Sequence, residues 1–237
     1  MEEDVRILAS DSLMGRETGK EGADLAAAYL EKRMRDMQLQ PYDKDGYFTQ
    51  DFSFKPRKDP HAEVEFGAVT DSSLNAQNLL GYIDNGGSRT VILGAHYDHL
   101  GMGGEGSLYR GEPAVHNGAD DNASGTAAVL EAARILSRVP TPYTVIYALW
   151  DEEEIGLNGS DYYATQAAAA GDNILGVVNL EMFGWDGNDD GKFEIHTRPI
   201  AGSVNLANLI VQLENIYQIS LTPLVQNPGT TASDHSS

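Results

Sequence analysis

A chain of 237 residues, 41% of them apolar, has enough material for a full core, and one domain is expected. With 16 basic against 36 acidic residues its formal charge is −20, a surface that repels phosphate backbones and excludes nucleic acid as a partner class. It has no cysteine, so disulfides and thiolate sites are excluded and any metal must sit on His, Asp and Glu.

No apolar run approaches the roughly 20 residues of a bilayer span, so no membrane partner is expected. The start Met1-Glu2-Glu3-Asp4 has neither the basic nor the apolar region of a secretory leader. A leader already removed would leave the same start; the compartment would then be extracellular or periplasmic, and otherwise cytoplasmic.

Apolar residues at Leu25, Tyr29, Met34 and Met37, with alanines between, predict an amphipathic helix over Glu21–Gln38, closed by Pro41. Tyr47–Phe54, Glu63–Val69 and Asn75–Ile83 read as strands. From Thr90 the pattern becomes regular. A buried strand over Thr90–Ala95 empties into His96-Tyr97-Asp98-His99, and a glycine-rich loop leads to Gly118-Ala119-Asp120-Asp121-Asn122. A helix over Asn122–Val139 follows, broken by Pro140-Thr141-Pro142. Strand Tyr143–Trp150, helix Gly156–Ala170 and strand Leu175–Leu180 continue the alternation, with a strand over Lys192–Thr197 and a helix over Val204–Tyr217 beyond. Strand, helix, strand at this spacing predicts parallel βαβ units.

Each of the three apolar strands ends in metal-ligand chemistry. The first ends in His96 and Asp98, the second in Glu152, Glu153 and Glu154, the third in Glu181; Asp120 and Asp121 precede the intervening helix. In a parallel sheet the strand C-termini open on one edge, so these groups should converge there. That many carboxylates, with Arg110 the one basic residue in the same loops, call for a cation, and a pair of divalent ions sharing one carboxylate is the simplest. Taken singly, His96 fits an ordinary loop histidine, Asp151–Glu154 a solvated turn and Asp120-Asp121-Asn122 a helix cap. Together at successive strand ends they do not. His99 and His116, without a carboxylate at matching spacing, read as ordinary loop histidines. The calcium-loop-like run Asp186–Gly191 reads as a polar turn, because Thr197 stands where the loop's Glu belongs.

The segments AHYDHLG (95–101), NGADDNASG (117–125), DEEEIGLNGS (151–160) and NLEMFG (179–184), with the opening LASDSLMGRETGKEG (8–22), resemble the M28-type zinc aminopeptidases. No H-E-x-x-H is present, which excludes the helix-borne zinc site of other metalloproteases. The resemblance implies an α/β fold, three-layer αβα with a mixed, centrally parallel sheet, and removal of N-terminal residues from peptides. It implies that Asp121 bridges two zinc ions, that His96 and Glu181 complete the shell of one, and that Glu154 holds the other. Glu153 matches the family's general base, and Asp98 the carboxylate that orients the His96 imidazole.

Two departures stand out. Glu181 occupies a place where many members have Asp. The family's last terminal ligand is a His in a later Tyr-His-Thr-like segment, whereas this chain reaches Ser233-Asp234-His235 and ends at Ser237. In the family that Ser-Asp-His motif lies near the substrate pocket, so His235 is not expected to ligate. A single catalytic domain over 1–237, truncated relative to the family at its C-terminus, is therefore expected. It should hold at most one tight zinc, have poor activity and associate with itself through the apolar face the segment would cover. The alternatives are a single-zinc transferase resembling glutaminyl cyclases, and a catalytically impaired binding relative.

Overall fold

The computed structural model describes residues 1–56, 64–67, 73–104 and 106–237. Helix α1 (Glu2–Leu8) and a 3-10 turn (Asp11–Arg16) precede α2 (Glu21–Asp36). The apolar stripe of α2 buries Ala26, Ala27, Leu30 and Met34, as its helical spacing requires. Strands β1 (Gln40–Pro41), β2 (Thr49–Phe54) and β3 (Leu74–Ile83) follow. The strand expected over Glu63–Val69 lies partly outside the described residues. Within its described part, Phe66 forms an isolated antiparallel bridge to Phe54.

Strand β4 (Thr90–His96) leads through its loop to an irregular turn (Ala119–Ser124) and α3 (Gly125–Leu136). The helix therefore starts later than expected. Asp121 and Asn122 have non-helical dihedrals, and the Asn122 Oδ1 accepts the N–H of Gly125, the first helical residue, at 3.0 Å. Then come β5 (Thr144–Trp150), α4 (Asn158–Ala170), β6 (Ile174–Asn179), β7 (Lys192–His196), α5 (Ser203–Tyr217) and β8 (Thr222–Gln226). A short 3-10 turn, Asp234–Ser236, closes the chain. The polar turn at Asp186 is closed by its own carboxylate, which accepts the Gly191 N–H at 2.7 Å.

The main sheet has the order β1-β3-β5-β4-β6, with β2 also paired to β3. Strand β4 runs parallel to β5 and β6, while β3 is antiparallel to β5. The sheet is thus mixed with a parallel centre, and β7 and β8 form a separate parallel pair. Alternation along β5 separates the two faces. Val145, Tyr147 and Leu149 join Leu30, Met34, Leu130 and Ala133 of α2 and α3 in one core. Ile146, Ala148 and Trp150 meet Tyr163 and Ala167 of α4 in another. A strand buried on both sides has to read as a continuous apolar run, which is how β4 and β5 appear in the sequence. Among the described residues no helix is long and apolar enough to cross a membrane.

Candidate metal centre

The parallel registers set the site. His96, the last residue of β4, lies opposite Trp150 at the end of β5, and Gly94 lies opposite Asn179 at the end of β6. The chain therefore delivers His96, the run Asp151–Glu154 and Glu181 to one edge of the sheet, and the turn before α3 adds Asp121. Asp121 is followed by a cis peptide bond to Asn122. Asn122 ties this turn to the third strand end, because its Nδ2 donates to the Leu180 carbonyl at 2.9 Å.

His96 is fully buried. Its Nε2 lies 3.2 Å from Asp121 Oδ1, 3.3 Å from Glu181 Oε1 and 3.9 Å from Glu153 Oε2. On the other side of the ring, Nδ1 lies 3.2 Å from the Asp98 carbonyl and 3.4 Å from Asp98 Oδ1. The Asp98 carboxylate also accepts the backbone N–H groups of Glu153 (3.1 Å) and Glu154 (3.3 Å), so one side chain orients both the imidazole and the acidic turn. Glu181 is held in turn, its Oε2 accepting from Ser233 Oγ at 2.8 Å. A zinc ion bound at about 2.0–2.1 Å by four ligands has ligand–ligand separations of roughly 3.3 Å. The spacings around His96 Nε2 match that edge.

Among the described residues two groups of donor atoms form, each with mutual distances within 4.8 Å: His96, Glu153 and Glu181 in one, His99, Asp121 and Glu154 in the other. Every sequence-predicted site residue lies in or against them: His96, Asp121, Glu154 and Glu181 as candidate ligands, with Glu153 and Asp98 beside them. His235 does not join; its Nε2 meets the Thr230 carbonyl at 3.0 Å and its ring lies beside His196. His116 also stays in its loop, bonded to Ser107 Oγ and the Ala114 carbonyl. His99 departs from the sequence reading. It has its carboxylate partners, since Nδ1 bonds Glu154 Oε1 and lies 4.0 Å from Asp121 Oδ2. Spacing along the chain could not reveal this, because Glu154 is distant in sequence and reaches His99 only across two strand ends.

Sequence reasoning also passed over Arg16. Its guanidinium is fully buried and donates to four backbone carbonyls: Leu8, Tyr97 (2.7 Å), Asn117 (2.8 Å) and Gly118 (3.0 Å). Burial lowers its pKa to about 10, partly offset by Asp98, Asp121 and Glu154, so it stays charged at neutral pH. Its hydrogen bonds go to main chain, which leaves the carboxylate oxygens of the site free to face one another. Gly118 adopts a left-handed φ of 56°, and a Cβ there would fall 2.2 Å from the Asp121 carbonyl and 2.6 Å from His99 Cδ2. A glycine is required for the turn and the imidazole to lie this close.

Electrostatics mark the cluster as a cation site. Burial pushes the Glu153 carboxyl up to about 9, with Asp234, Asp98 and Glu181 adding to it against the opposing effect of His96. Burial likewise carries Glu152 to about 8 and Asp234 to about 7. Burial disfavours the His96 imidazolium, but Asp121, Asp98 and Glu181 outweigh it and raise its pKa well above the ordinary value. Crowded carboxylates that still gain protons beside the Arg16 charge are the electrostatics a divalent cation relieves. The donor set, imidazole nitrogen and carboxylate oxygen, fits zinc.

A mixed αβα sheet with such a cluster at its parallel strand ends defines the zinc-exopeptidase-like class of folds. The chain belongs to peptidase family M28, whose profile matches residues 78–237. It is 30% identical over 145 residues to a probable zinc metalloprotease of Pyrenophora teres f. teres, covering 61% of this chain and 26% of that protein. It is 27% identical over 179 residues to a probable leucine aminopeptidase of Trichophyton verrucosum, covering 70% and 45%. The chain thus spans less than half the length of these curated relatives. Among solved structures, a Zn-dependent exopeptidase from Parabacteroides distasonis superposes with a TM-score of 0.75 at 17% identity, over 99% of this chain and 77% of that one. A glutaminyl cyclase from Porphyromonas gingivalis gives 0.72 at 16% identity, over 98% and 76%.

Proposed function

We propose that this chain is the catalytic core of a zinc-dependent aminopeptidase that hydrolyses the N-terminal peptide bond of peptide substrates. The observation that carries the reading is the pair of donor groups, His96, Glu153 and Glu181 in one and His99, Asp121 and Glu154 in the other, joined where Asp121 Oδ1 lies 3.2 Å from His96 Nε2. His96, Asp121 and Glu181 would hold one ion, with Asp121 reaching towards a second beside Glu154. Zinc held there supplies an acidified water and polarises the scissile carbonyl.

The protein's own groups do the rest. Glu153 Oε2, 3.9 Å from His96 Nε2, is close enough to the ligand cluster to take a proton from water and hand it to the leaving amine nitrogen. Without an ion, burial pushes its carboxyl up to about 9; a divalent cation held beside it would favour the ionised form and leave it free to accept that proton. Asp98 fixes the His96 ring through Nδ1 and the Glu153 backbone through its N–H, so ligand and base are registered to each other. The surrounding acidic groups suit a substrate's free α-ammonium, which favours removal of terminal residues over internal cleavage.

The test is incubation of zinc-loaded protein with leucyl and glutaminyl chromogenic peptides. Release of free amino acid is expected; a cyclised glutaminyl product would instead indicate the transferase chemistry of the cyclases that share this fold, and no turnover a binding relative. Glu153→Gln should reduce kcat by 10²-fold or more, the scale of general-base catalysis, while the zinc content stays unchanged. Undiminished turnover in that variant would remove Glu153 from its role.

A further inference from the structure

We propose that His99 is a protein ligand of a second zinc ion, together with Asp121 and Glu154. This rests on the metallopeptidase reading above and adds to it a residue that the family motif does not assign.

The argument begins with the carboxylate between the two imidazoles. Asp121 Oδ1 lies 3.2 Å from His96 Nε2, and its Oδ2 lies 4.0 Å from His99 Nδ1. A carboxylate that turns one oxygen to each of two histidines is disposed to bridge two cations. His99 Nδ1 also meets Glu154 Oε1, and the three donor atoms of this second group lie within 4.8 Å of one another. Glu154, His99 and the shared Asp121 offer oxygen and nitrogen donors of the kinds zinc takes, and three protein ligands leave a position open for water.

The His99 side chain is built into this place rather than swung there from a surface. Its backbone N–H donates to the Arg16 carbonyl at 3.1 Å. The Arg16 guanidinium grips the carbonyls of Tyr97 and Gly118 on either side of it. The ring is 9% exposed and packs on Gly118, where a Cβ would collide with it. His99, from just after β4, adds an imidazole to Asp121 and Glu154, and the three donor atoms lie within 4.8 Å of one another.

The test uses the full chain, stripped by chelator and titrated with Zn²⁺ alone, with metal per chain counted by mass spectrometry and affinities by calorimetry. The wild type should take up two zincs. His99→Ala should keep one, with the second affinity falling by more than the roughly 100-fold typical of losing an outer partner. His96→Ala should weaken the other site. His99→Cys, loaded with Co²⁺, should develop a near-ultraviolet thiolate-to-cobalt band, which only direct ligation by residue 99 produces; circular dichroism verifies that each variant is folded. Two zincs of unchanged affinity in His99→Ala, or one zinc in both it and the wild type, would overturn the assignment and leave His99 as an ion-pair partner of Glu154. A wild type that binds no zinc would overturn the metallopeptidase reading as well.

Discussion

Glu152 illustrates how one buried residue carries the cost of assembling the site. It is 0% exposed, sits in the acidic turn at a positive φ of 62°, and is held near Asp98 and Asp151. Burial first, then those two charges, raise its carboxyl from 4.5 to about 8. Between those values the native protein retains a proton that the unfolded chain has released. Its contribution to stability therefore falls as pH rises from about 4.5 to about 8 and levels off above. A single such group changes stability by at most about 1.4 kcal/mol per pH unit. In chelator-treated protein, Glu152→Gln should flatten the decline of the melting temperature across that window. Identical slopes for variant and wild type would show that Glu152 ionises freely. The sequence displayed the residue types of the site well, since His96, Asp98, Asp121, Glu153, Glu154 and Glu181 all reach it. It could not rank His99 above His116, because that difference depends on which loop carboxylate lies across the gap.

Among the elements, the 3-10 turn ending at Arg16 does more than lead into α2. Through one guanidinium it joins the end of α1 (Leu8), the segment after β4 (Tyr97) and the turn before α3 (Asn117, Gly118). A lysine ammonium has three donors and no planar fork, so Arg16→Lys would leave buried carbonyls unpaired. Each costs about 1 to 3 kcal/mol, and urea denaturation should show a loss of that size, with zinc affinity reduced because the ligand-bearing loops loosen. An unchanged midpoint would show that water replaces the clamp. The regular elements were legible from periodicity: α2, α4, α5, β4 and β5 lie where apolar spacing put them. The boundary of α3 was not, since the Asp and Asn that suggested a helix start serve an irregular turn carrying the candidate bridge.

For the whole molecule, the charge of −20 and the exposed apolar side chains act in opposite directions. Strand β6 ends the sheet order and exposes Leu175 (47%) and Val177 (40%), and α5 beyond it buries only Ala207. An edge strand with apolar residues in solvent is a template for another strand. We predict concentration-dependent self-association by sedimentation, strengthened by salt that screens the acidic charge. Val177→Lys, which places a charge on the edge, should shift the protein towards monomer. A monomer at all concentrations and salt levels would sink this expectation.

The family, the alternating strand–helix plan and the His and carboxylate residues at each strand end were legible in the linear sequence. These depend on local periodicity and on residue chemistry, which a linear reading preserves. Only the tertiary structure decided that His99 faces Glu154 and Asp121, that Arg16 sits behind the loops, and that His235 turns to Thr230 instead of the cluster. Those outcomes rest on distances across the sheet edge between loops far apart in the chain. Irregular backbone sets such distances, and hydrophobic periodicity carries no signal of it.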